Sequence, residues 1–159
     1  MNVKTDFGIF LQNIPTFADF GPAELAVLEQ AMTVAGYPDG HMFLSEEKPG
    51  ESMYLIVAGE VIATHRRANQ RGLDVYERLG PGDVFGLIAL IDHQRGWATY
   101  KAVGEVTAAS LPASAFELLF SANAPIAHHF QSLIALQLVR DLRACADFLT
   151  KEFGVCVKT

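Results

Sequence analysis

The stretch Leu79-Gly-Pro-Gly-Asp-Val-Phe-Gly-Leu-Ile-Ala-Leu-Ile91, followed at once by Asp92-His-Gln-Arg-Gly-Trp-Ala-Thr99, decides how this chain is read. Glycines at 80, 82 and 86 punctuate it, and the punctuation extends outward: glycines at 40, 50, 59, 72, 96 and 104 cut Tyr37 to Leu111 into short runs rich in Val, Ile, Tyr and Thr. Such residues fit a pleated, half-buried surface, and turn signals at this regular spacing predict an all-β sandwich or roll. The clearest expected strands are 52–57, 60–65, 73–79, 98–102 and 106–111. Within the third, Leu73, Val75 and Leu79 alternate with Asp74, Tyr76 and Arg78, as one buried face requires.

On both sides of this region the period is helical. Phe7, Phe10, Leu11 and Ile14 recur at three-to-four spacing, and Gly21-Pro22 opens a second short helix ending near Met32. Beyond Leu111, Ser114-Ala-Phe-Glu117 has capping-box spacing, predicting a short helix to about Ser121. Pro125 suits the first turn of another helix, and no Gly or Pro follows until Gly154, which predicts one long terminal helix. Its first half offers Ile126, Phe130, Leu133 and Ile134 to the roll. Its second half carries Ala135, Leu138, Leu142, Cys145 and Leu149 at coiled-coil spacing, flanked by Arg140, Asp141, Arg143 and Asp147, so a homodimer through this helix is expected, with packing inside the chain as the alternative. The expected organisation is one domain over 1–159: N-terminal helices in 1–36, the roll in 37–111 and two helices in 112–153.

Composition narrows the function. With 159 residues, 50% of them apolar, the chain can bury one core. A net charge of −6 argues against nucleic acid as a direct partner. Residues 1–15 carry Lys4, Asp6 and Gln12, unlike a signal peptide, and no apolar run reaches membrane-spanning length. Cys145 and Cys156 are read as free thiols in a reducing cytoplasm. The basic run Arg66-Arg-Ala-Asn-Gln-Arg-Gly72 is read as a solvated hairpin tip rather than an anion site. His41, His65 and His93 are scattered, and the adjacent pair His128-His129 cannot face one metal ion well, so neither a metal centre nor a cupin-type enzyme is expected. No nucleophile with a base and no paired carboxylates suggest catalysis.

Tyr37-Pro-Asp-Gly40, Tyr54-Leu-Ile-Val-Ala-Gly-Glu-Val61, Leu79 to Gly86, Ile88-Ala-Leu-Ile91 and Ala98-Thr99 occur in the order and spacing of the cyclic-nucleotide-binding domain family, which this sequence resembles over nearly its whole length. The resemblance implies a β-roll, or jelly roll, with flanking helices: Ile14-Pro-Thr-Phe17 and the helix after it look like the family's N-terminal helices, and Phe116 to Leu142 like its two C-terminal ones. It also implies a phosphate-binding cassette, Phe-Gly-Glu-x-Ala-Leu and then Pro-Arg-x-Ala-Thr, in which a cyclic phosphate meets free N–H groups at the start of a short helix. Mapped residue by residue, the site would comprise Phe85, Gly86, Leu87, Ile88, Ala89, Arg95, Gly96, Trp97, Ala98 and Thr99, with cAMP or cGMP as ligand and no cofactor.

Four positions depart from that pattern. Leu87 stands where the ribose-binding Glu belongs, leaving a hydroxyl unpaired at a cost of about 1 to 3 kcal/mol. Gly96 stands in the arginine position and Arg95 in the proline position, a displacement of about 3.3 Å along extended chain. Trp97 replaces a residue that is normally small and is read as filling the pocket in preference to stacking on a base. Two functions follow as expectations: a non-enzymatic sensor of a cyclic nucleotide or related phosphate, signalling through the terminal helix, or a ligand-free dimerisation module with Leu87 and Trp97 in the pocket. A transcription factor is disfavoured, because the ten residues after Leu149 cannot form a helix-turn-helix domain.

Overall fold

The computed structural model describes residues 3–66, 73–122 and 124–154. Helices α1 (Val3–Asn13) and α2 (Pro22–Ala31) flank a 3-10 turn at Pro15–Phe17. Six strands and a short helix follow: β1 (Thr33–Tyr37), β2 (Met42–Leu44), β3 (Ser52–Arg66), β4 (Leu73–Leu79), β5 (Val84–Phe85), α3 (Leu87–Asp92) and β6 (Thr99–Pro112). The chain closes with α4 (Ala113–Ala122) and α5 (Ala124–Phe153). The strands form one antiparallel sheet in the order β1-β6-β3-β4, with β2 added to β6 and β5 to β3. The roll therefore begins at Thr33, ahead of the expected Tyr37, because Thr33 to Tyr37 pairs with Val106 to Ser110 of β6.

Two expected strand breaks are not breaks. Runs 52–57 and 60–65 are halves of β3, and runs 98–102 and 106–111 are halves of β6. Gly59 (φ +95°) sits where the β3–β6 register shifts, and a Cβ there would meet the Glu105 carbonyl oxygen at 2.5 Å. The glycine makes a bulge that bends a continuous strand, increasing its twist instead of ending it. In β4, Val75 is exposed rather than inward-facing: the β3–β4 register shifts between Ala63 and Thr64, which breaks the simple alternation with Leu79. At the far end α4 starts at Ala113, so Ser114 lies inside its first turn and is not the expected cap.

The core has two compartments. Inside the roll, Phe43, Ile56, Val61, Phe85, Tyr100 and Val106 pack together, with Phe85 stacked on Tyr100 at 4.8 Å and 7°. Between the roll and the helices lie Leu11, Phe17, Phe20, Leu28, Met53, Leu111, Phe116, Ile126, Phe130 and Leu133. Full burial of each such side chain contributes about 1.5 to 3 kcal/mol. Helix α3 lies at the junction and sends Leu87 and Leu90 into the second compartment. Arg67 to Gly72, most of the basic hairpin tip, and Cys156 fall outside the described residues.

Candidate functional site

The expected cassette is the β5–α3 junction and the loop that returns to β6. Strand β5 pairs with Tyr54 and Leu55 of β3, which fixes Phe85 in the roll core. Gly86 then turns the chain with φ +88° and ψ −2°. A Cβ there would lie 2.7 Å from the Ser52 carbonyl oxygen, so the position requires glycine. Helix α3 has six residues and ends at His93, itself left-handed at φ 54°. The following loop is tied down by an antiparallel bridge between Pro49 and Arg95 and by the Glu46 N–H, which donates to Thr99 Oγ1 at 3.3 Å.

A cavity of about 160 Å³ opens between these pieces. Gly86, Ile88, Ala89, Arg95, Gly96, Trp97 and Ala98 line it; Phe85, Leu87 and Thr99 do not. The side chain of Leu87, 1% exposed, belongs to the helical core, and Thr99 holds the loop before β3. Trp97 remains at the rim, 37% exposed, stacked on His65 at 4.2 Å and 14° and edge-on to Phe148 of α5 at 6.1 Å. Leu87 and Trp97 thus do not fill the cavity. His65 Nδ1 lies 2.9 Å from the Trp97 carbonyl oxygen and 3.0 Å from Glu46 Oε2. Both are acceptors, so this nitrogen carries the proton.

What closes the cavity is α5, through Gln137 and Asp141. Neither was singled out as a site residue from the sequence, although the signal was present: continuing the roll-facing series Ile126, Phe130, Leu133 by threes and fours reaches Gln137, Asp141, Ala144 and Phe148. Arg140 and Asp141, expected to flank an outward seam, instead face the protein. Arg140 Nη2 donates to the Val84 carbonyl oxygen at 2.8 Å, and its Nε lies 2.9 Å from Glu77 Oε1 of β4. Burial raises the Glu77 and Asp141 carboxyls above their ordinary range despite the attraction of Arg140. The negative charges of Asp141 and Asp83 push Glu77 up further. Gln137 Oε1, Asp141 Oδ1 and Glu77 Oε2 are buried acceptors without a hydrogen-bond donor. The site is therefore a glycine-turned helix start and an arginine on one side, facing underused acceptors on the other.

No helix among the described residues is long and apolar enough to cross a membrane, and no group of three or more potential metal ligands occurs among them. Residues 35–123 match the family described as Cyclic nucleotide-binding domain. The CRP-like cAMP-activated global transcriptional regulator of Mycobacterium tuberculosis is 26% identical over 133 residues, covering 84% of this chain and 59% of that protein. A cAMP-dependent protein kinase regulatory subunit of Neurospora crassa is 33% identical over 110 residues, covering 69% of this chain and 28% of that one. The chain thus spans less than two thirds of either relative, both of which are regulatory proteins. Among solved structures, a cyclic nucleotide-binding domain from Methylobacillus flagellatus superposes with a TM-score of 0.80 over 98% of this chain and 87% of that one, at 22% identity. Because the family match covers more than half of the chain and contains the Gly86 turn and α3, this chain belongs to the cyclic nucleotide-binding domain family.

Proposed function

We propose that this domain is a non-enzymatic sensor that takes a cyclic nucleotide or related small phosphate ligand between the cassette and α5, and reports occupancy by moving α5. The observation that carries the reading is that α5 itself walls the cavity. At about 160 Å³ the cavity is smaller than the roughly 300 Å³ at which small-molecule pockets begin, so a nucleotide enters only as Gln137 and Asp141 withdraw. Ligand binding and α5 docking then compete for one space, and binding shifts the population toward an undocked α5. The phosphate meets the unpaired N–H groups of the first turn of α3 and the exposed guanidinium of Arg95.

Calorimetric titration of nucleotide-stripped protein with cAMP and cGMP tests this. Micromolar binding that weakens at least about tenfold in Arg95→Ala supports it, because a charge-assisted hydrogen bond contributes about 1.5 to 3 kcal/mol. Absence of heat with both nucleotides overturns the ligand assignment.

The domain's output is a homodimer in the cytoplasm. Leu138, Leu142 and Leu149 are 43%, 68% and 40% exposed on one stripe of α5. That exposure favours a second copy over packing inside the chain. Leu142→Glu should convert a dimer to a monomer in light scattering; a wild-type monomer at micromolar concentration overturns this part.

A further inference from the structure

A second and larger cavity, about 370 Å³, lies behind the cassette, between the N-terminal helices and the face of α5 turned away from the Leu138–Leu142 stripe. Its floor is apolar: Phe20, Val84, Leu87 and Leu133. Leu87 thus forms part of this cavity although it is absent from the cassette cavity.

The polar lining is acidic in balance. Its two basic groups are each paired with a carboxylate: Arg140 with Glu77, although the buried Nε makes no hydrogen bond of good geometry, and His129 Nε2 with Glu24 Oε2 at 3.3 Å. The acidic lining groups Asp19 and Asp83 have no cationic partner among the described residues; Asp83 Oδ2 accepts the Gly80 N–H, at 2.8 Å. Gln137, 7% exposed, stands in the wall of both cavities with Oε1 unpartnered. Of the carboxylates in this region, Asp19 and Asp83 line the cavity, while Glu77, paired with Arg140 outside the lining, feels the charges of both Asp83 and Asp141. Buried acceptors without donors cost about 1 to 3 kcal/mol each, and an excess of carboxylates in a walled cleft favours a positive guest.

We infer that this cavity is a second ligand site, selective for a small organic cation with an apolar body and a protonated amine. The body covers Phe20, Leu87 and Leu133; the ammonium donates to Gln137 Oε1 and sits among Asp83 and Asp19. The site is independent of whether the cassette binds a cyclic nucleotide.

Amide NMR titration of the full chain with phenethylamine tests it, with phenylacetate as the control of similar shape and opposite charge. A probe of about nine non-hydrogen atoms should bind with a Kd of about 1 mM. Saturable shifts should centre on Thr16, Asp19, His129 and Leu133, and Asp19→Asn should weaken binding about twofold to fivefold, as for a partly exposed ion pair. Ser132→Trp, a change at an exposed rim position, should abolish binding while the spectrum stays dispersed. Equal binding of phenylacetate, shifts centred on Gly86 to Trp97 instead, or no saturation by about 20 mM would each overturn the proposal.

Discussion

Leu87 and Gly96 hold the two positions at which the cassette lacks its family's ligand-binding side chains, and their surroundings could hardly differ more. Leu87, 1% exposed, is packed with Leu90 among the apolar side chains of α1, α2, α4 and α5. Gly96 is half-buried in a loop, its backbone is not left-handed, and a Cβ there would meet the Ala98 carbonyl oxygen at 3.3 Å, a tight contact that a shift of a few tenths of an ångström relieves, against 2.7 Å at Gly86. The α3 end of the cassette is thus fixed by the same burial that holds the helices to the roll. The loop end is held instead by a bridge to Pro49, by the Glu46 N–H on Thr99 and by Trp97, which stacks on His65, meets its ring nitrogen through the main-chain carbonyl and lies edge-on to Phe148. Chemistry at the loop end can change without touching the fold; at the α3 end it cannot.

The largest expected effect breaks that contrast or establishes it. Leu87→Glu restores the family's ribose acceptor but puts a carboxylate in the helical core, and should cost at least about 3 kcal/mol in urea unfolding at neutral pH, as an uncompensated buried charge does. A loss under about 1 kcal/mol would mean that the side chain turns into the cassette cavity and that the core does not hold this position.

A smaller pair of changes sharpens the contrast. Gly86→Ala forces a side chain into a left-handed turn against the Ser52 carbonyl oxygen and should cost about 2 kcal/mol or more. Gly96→Ala, which meets only the 3.3 Å contact with the Ala98 carbonyl oxygen and needs no left-handed backbone, should cost no more than about 1 kcal/mol. Gly96→Arg should likewise fold, and should tighten cAMP about tenfold or more in calorimetry by supplying a guanidinium in the family's place. Equal losses for the two alanine variants would show that the loop is as tightly specified as the helix start.

The roll and its helices were legible in the sequence because glycine spacing and apolar periodicity report backbone and burial directly. Strand ends were not: Gly59 and Gly104 read as turns, whereas pairing of β3 with β6 across Ala58 and Glu60 makes Gly59 a bulge within one strand. The cassette residues were found by motif, yet a motif does not say which way a side chain points. Leu87 proved to face the core and Trp97 the rim, since the apolar demand of α1, α2 and α5 decides the first and His65 the second. The α5 wall was hardest to see. Gln137 and Asp141 are polar, so an apolar stripe passes over them, and only the roll-facing phase of the helix brings them in.

That wall supports the smallest and most diagnostic expectation. Asp141 binds its proton more tightly in the folded chain than in the unfolded one, chiefly because burial disfavours its charge; attraction to Arg140 and the hydrogen bond from Gln137 act the other way but do not cancel it. A carboxyl whose folded value is raised contributes most stability where it is protonated in both states, and that contribution is lost as pH rises through the folded value. At neutral pH the ionised, half-buried Asp141 is therefore a net cost. Asp141→Asn should raise thermal stability at pH 7 by no more than about 1 kcal/mol, given its partial exposure. The gain should shrink as pH falls through the raised folded value and be gone below about 3, under the ordinary value of an unfolded Asp, where the wild-type carboxyl is protonated in both states. A variant less stable than wild type at pH 7 would show that Arg140 holds Asp141 more strongly than burial repels it, and that α5 is clamped on the cassette by charge. A gain confined to neutral pH would show that the helix is docked there against an electrostatic strain, which a donor-rich ligand in the cassette cavity would relieve.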